Sequence, residues 1–90
     1  MGAKSEISWN RQTDEGKFDI YARHVGTRWL FFQRLRRYDQ WQAVPQPPLE
    51  DWLELLDAVR RRINRRLLRP EEEKRVEKLI REQFPEVKFR

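Results

Sequence analysis

Between Leu49 and Arg69 the chain reads LEDWLELLDAVRRRINRRLLR. Leu49, Trp52, Leu53, Leu56, Val59, Ile63 and Leu67 recur at spacings of three and four and fall within about 120° on a helical wheel. That periodicity predicts a helix over 49–69, about five to six turns long. Glu50, Asp51, Glu54 and Asp57 occupy its N-terminal half, and Arg60, Arg61, Arg62, Arg65, Arg66 and Arg69 its C-terminal half. This polarity complements the partial charges of the helix ends, at roughly 0.3–1 kcal/mol for a well-placed terminal charge. Asp57 and Arg61 also stand four residues apart in the favoured order.

The flanking segments supply what would cover the apolar side of that helix. Pro70 interrupts the pattern and Glu71-Glu72-Glu73 follows it, a start signal for a second helix over 70–84. Val76, Leu79, Ile80 and Phe84 form its apolar stripe, and Pro85 ends it. Upstream, 37–48 is a Pro-rich connector: Pro45, Pro47 and Pro48 favour an extended path and argue against a strand. Tyr38 and Trp41 are the residues of this connector suited to anchoring it. Earlier still, 6–36 changes to a period of two, with Ile7 and Trp9, then KFDIYARHV (17–25), then RWLFFQRLR (28–36). Turn residues at Thr13–Gly16 and at Gly26-Thr27 separate the three runs. Residues 1–5 are polar and are expected to be a disordered start.

A two-residue turn at Gly26-Thr27 would set His24 opposite Trp29 and Ala22 opposite Phe31. Phe18, Ile20, Ala22, Trp29, Phe31 and Leu35 then share one apolar face, joined by Ile7 and Trp9 if the first turn is equally tight. Asp19, Tyr21, Arg23, Leu30, Phe32, Arg34 and Arg36 share the other, with Asp19 opposite Arg34. One extra turn residue would exchange the faces, but the two-residue register leaves one of them nearly free of charge. The expected fold is α+β (βββαα): a three-stranded antiparallel meander followed by two helices packed on one face of the sheet, in a single small domain.

Composition narrows the function classes. Ninety residues bury only about two-thirds of the unfolded surface, so the eleven aromatics must supply much of the core. With no cysteine and one histidine, thiol chemistry and a conventional zinc site are not expected, and no cofactor or metal is predicted. No run approaches the length of a membrane span, and the first residues lack the apolar segment of a secretory signal, so a cytoplasmic protein is expected. Catalysis is not predicted. His24 points toward the core, Ser5 and Ser8 belong to no nucleophile motif, and the acids of 50–57 are explained by the helix dipole. No small-molecule substrate and no membrane partner is expected.

The net charge of +5 is modest, but its distribution is not uniform. No acid lies between Ile20 and Arg37, a window with Arg23, Arg28, Arg34, Arg36 and Arg37. None lies between Ala58 and Pro70, the window of the arginine block. On the predicted helix Arg61, Arg62, Arg65 and Arg69 fall within about 100°, opposite the apolar stripe. The plainer account is a solvated helix end, partly paired with Glu71 to Glu73. Against it stand the number of cations and their type, since arginine suits bidentate phosphate contact and stacking on bases. The leading expectation is a nucleic-acid-binding module, for DNA or RNA, using Arg34, Arg36, Arg37, Arg61, Arg62, Arg65 and Arg69. The alternative is a protein-interaction module, a homodimer or adaptor, using Tyr21, Phe32 and Trp41 as exposed aromatics.

Overall fold

A computed structural model describes residues 6–35 and 38–88. They form an antiparallel sheet followed by two helices, an α+β fold, in the order β1 (Glu6–Thr13), β2 (Gly16–Val25), β3 (Arg28–Arg34), β4 (Gln42–Val44), α1 (Leu49–Asn64) and α2 (Glu71–Gln83). The chain falls into two compact units, one up to Pro47 with the sheet and one from Pro48 with the helices. The expected disordered start, together with Arg36 and Arg37, lies outside the described residues.

In the first unit the strands lie in sequence order, each antiparallel to the next. Both hairpins close with two residues, Asp14-Glu15 and Gly26-Thr27, so Ala22 faces Phe31, His24 faces Trp29 and Asp19 faces Arg34, the expected register. Gly26 takes φ +62 at the first turn position, and no other residue of that turn has positive φ; this is the glycine-first hairpin turn whose twist matches the strands. At the first hairpin the Thr13 hydroxyl accepts from the Glu15 amide at 3.2 Å and donates to the Gly16 carbonyl at 3.0 Å. Gly16, at φ +130, adopts a backbone few side chains tolerate.

The alternation sorts the strands into two faces. Ile7, Ile20, Ala22, Trp29 and Phe31 are buried on one, Trp9 meets Phe31 edge to face, and half-buried His24 stacks flat on Trp29 at 4.4 Å. The other face is more exposed and polar. The fourth strand corrects the reading of 37–48 as connector throughout. Gln42, Ala43 and Val44 pair with Gln33, Phe32 and Phe31, so the sheet has four strands. The prolines do not prevent this, because all three come after Val44; Pro45 ends the strand.

The second unit is a helical hairpin. α1 stops at Asn64, not at Arg69, and α2 follows six residues later. The stop is a Schellman turn: the Leu67 amide donates to the Arg62 carbonyl at 2.8 Å and the Arg66 amide to the Ile63 carbonyl at 2.9 Å, with Arg66 at φ +61. Apolar spacing continued through Leu67, but backbone geometry ended the helix first, and Leu67 is exposed. The buried band of α1 is also rotated from the expected stripe. Leu55 is fully buried, with Asp51, Trp52, Leu56, Ala58 and Val59, whereas Leu53 is exposed. In α2, Val76 and Ile80 are fully buried and Glu72 lies one turn before them.

α1 and α2 pack together and are clamped by one side chain. Arg60 donates from Nε to Glu73 at 2.8 Å and from Nη2 to Glu77 at 3.1 Å. The hydrogen bond to Glu73 raises the Arg60 pKa above its ordinary value against the opposing effect of burial, and Glu77 adds to it. The guanidinium therefore stays charged at any pH the protein meets.

Two stability changes follow. Arg66→Gly should stabilise the chain by about 0.5–1 kcal/mol, since glycine removes the steric cost of positive φ though it gives back unfolded-state entropy. Arg60→Met keeps the apolar stem but leaves Glu73 and Glu77 without their cation, and should destabilise by about 1 kcal/mol. Urea unfolding resolves both, and the melting temperature should move by about 4–8 °C per kcal/mol in a chain of this size.

Candidate nucleic-acid interface

The helical hairpin determines which arginines have partners. Arg60 is held by Glu73 and Glu77, and Arg61 pairs with Asp57 one turn earlier. Arg62 does not face solvent as the wheel implied. It is half-buried, and its Nε has no hydrogen-bond partner among the described residues. The rotation of the buried band explains this: Arg62 follows Leu55, Ala58 and Val59 at intervals of seven, four and three, the spacing of a shared helix face.

Arg65 caps α1, Arg66 forms the left-handed turn, and Arg69 stands just before Pro70. Arg65 and Arg69 were expected on the helix with Arg61 and Arg62. Because α1 ends at Asn64 they lie instead on the connecting turn, where both are exposed, as is Arg66. Arg66, not among the expected interface residues, joins this turn through its αL backbone. None of the three has an ion pair among the described residues.

The nearby acids do not neutralise the corner. Glu73 is engaged by Arg60, and Glu72, buried at the start of α2, accepts from Arg75 at 2.9 Å. Glu71 is the one carboxylate of that first turn without such a bond. Arg65, Arg66 and Arg69 thus precede a helix start at which, among the described residues, only Glu71 is uncommitted.

The sheet unit holds the second constellation. Continuing the pairing of β3 with β4 by one residue sets Trp41 opposite Arg34, so Asn10, Asp19, Arg34 and Trp41 form one row across the open face. Asp19 accepts from Asn10 Nδ2 at 3.1 Å and from Arg34 Nε at 3.3 Å, and the Arg34 guanidinium lies 4.2 Å from the Trp41 ring centre. The next row holds Ser8, Tyr21, Phe32 and Ala43. Tyr21 stacks on Phe32 at 4.8 Å and meets Trp41 edge to face at 4.7 Å. Arg23 lies 5.9 Å from the Tyr21 ring and is hydrogen-bonded to Glu6, which raises its pKa.

The three interaction aromatics therefore form one cluster with Arg34 against it. Tyr21 and Phe32 are half-buried, while Trp41 remains 38% exposed. The sequence showed Asp19 opposite Arg34 but missed the Arg34–Trp41 pair, because that contact depends on the fourth strand. The available signal was the short QAV run between Trp41 and Pro45. Arg36 and Arg37, also expected at the interface, lie outside the described residues.

Comparison with known protein families, characterised proteins and solved structures finds no match to this chain.

Proposed function

We propose that this protein is a non-enzymatic nucleic-acid-binding module that holds backbone phosphates at the arginine corner between α1 and α2. The observation that carries this reading is the exposed set Arg65, Arg66 and Arg69 at a tight turn, none of them with an ion pair among the described residues. One or two cations suffice for the C-terminal end of a helix, so the corner holds more positive charge than the fold requires. Arginine presents a planar fork of donors that matches a phosphate, and all three of these side chains are exposed. Arg61, paired with Asp57, contributes less than its position in the sequence suggested.

A second reading, a protein-interaction module or homodimer, is favoured by a different observation. Val25, Leu30 and Trp41 are exposed on the open face of the sheet, at 47%, 36% and 38%. Val25 and Leu30 are diagonal neighbours across β2 and β3, and adjacent exposed apolar side chains mark contact surfaces more often than isolated ones do. Sedimentation velocity separates the two readings: association that Trp41→Ala abolishes, without affinity for nucleic acid, favours the second.

Neutralising three phosphates should give a log–log slope of affinity against salt of about −3 on duplex DNA. The double variant Arg65→Glu/Arg69→Glu should flatten that slope by about two and weaken binding at low salt by at least about tenfold. Fluorescence anisotropy at two or more salt concentrations measures both. Wild-type binding weaker than about 10⁻⁴ M at low salt, or indifference to the charge reversal, would end the proposal.

A further inference from the structure

Resting on the nucleic-acid reading above, we infer that the open face of the sheet takes an unpaired nucleobase beside Trp41, so that single strands are the preferred substrate class. A slot of about 270 Å³ opens there, with Ser8, Asn10, Asp19, Arg34 and Trp41 among its lining residues. That volume is below the roughly 300–1,000 Å³ of ordinary small-molecule sites, and suits one flat ring system.

The chemistry of the walls favours a base over a phosphate. Asp19 lies in the slot, and a phosphate would meet its carboxylate directly. A base edge instead offers N–H donors to a carboxylate and acceptors to a guanidinium. Asp19 is held in place by Asn10 and Arg34, and each of its oxygens keeps a further lone pair. Arg34 uses Nε on Asp19, and among the described residues neither of its Nη groups is hydrogen-bonded. The Asn10 side-chain carbonyl and the Ser8 hydroxyl complete a mixed set of donors and acceptors.

The aromatic wall is already in place. Trp41 is fixed by the Arg34 guanidinium at 4.2 Å and the Tyr21 ring at 4.7 Å, yet more than a third of it is exposed. A ring held this way loses little freedom when a base stacks on it. Duplex bases are already stacked and paired, so this site discriminates for single strands, whereas the arginine corner responds to any phosphate backbone.

The test uses the full chain, a labelled twelve-nucleotide oligo(dT) strand and a twelve-base-pair mixed duplex, by anisotropy at low salt. Trp41→Ala should weaken strand binding by about tenfold and duplex binding by less than about twofold. Trp41→Phe, with a smaller ring face, should cost the strand about two- to threefold and the duplex nothing. Arg65→Glu/Arg69→Glu should weaken both probes. Binding that responds to the arginine variant but loses strand and duplex equally, or not at all, on Trp41 substitution overturns the slot and leaves the phosphate corner standing. Wild-type protein that binds neither probe overturns both. If Trp41→Ala loses its circular dichroism signature of folding, Trp41→Phe decides, and an unchanged strand affinity there overturns the slot.

Discussion

A two-residue turn between β2 and β3 governs the sheet. Side chains alternate along a strand, so the length of the Gly26-Thr27 connection decides which face each residue joins. With two residues, Ile20, Ala22, Trp29 and Phe31 meet on the buried face, and Tyr21, Phe32, Asp19 and Arg34 meet on the open one. A third turn residue would bury charge and expose the core. Gly26 reaches positive φ at little cost, so this turn is stable and the faces are held.

The helical unit has its own constraint, a sharp end to α1 made without glycine. The Schellman bonds to the carbonyls of Arg62 and Ile63 satisfy groups the helix end would otherwise leave open, and Arg66 bears the conformational cost. Arg60 then reaches across to Glu73 and Glu77, so part of the arginine block serves the hairpin itself. The remainder stays available. The arginine block is thus divided between cations that serve the hairpin and exposed ones without an ion pair among the described residues.

Two kinds of chemistry thus remain after the fold has met its needs. One is exposed positive charge at Arg65, Arg66 and Arg69, which the proposed function assigns to a polyanion of any sequence. The other is a polar slot with an aromatic wall, at Asn10, Asp19, Arg34 and Trp41, suited to a flat heterocycle. On the proposed reading, phosphate contacts supply affinity and stacking supplies discrimination between strand types.

The sequence by itself indicated three strands, two helices and the α+β class, and it favoured the two-residue register that the first three strands adopt. These follow from local rules: period two against period 3.6, turn residues at fixed offsets, and proline as a breaker. It also indicated that Asp57 and Arg61 would pair, since four residues on a helix suffice. Tertiary structure decided the rest, because the deciding contacts join residues distant in the chain or depend on backbone geometry that no spacing encodes. Gln42–Val44 became a strand only because β3 offered a free edge, and that pairing brought Trp41 to Arg34. Leu55 rather than Leu53 was buried, and Arg62 turned inward, because packing selects one arc among several that a wheel allows. The place of Arg65 and Arg69 changed with a single residue, Arg66, entering the left-handed region, where side-chain sterics rather than hydrophobic pattern set the end of a helix.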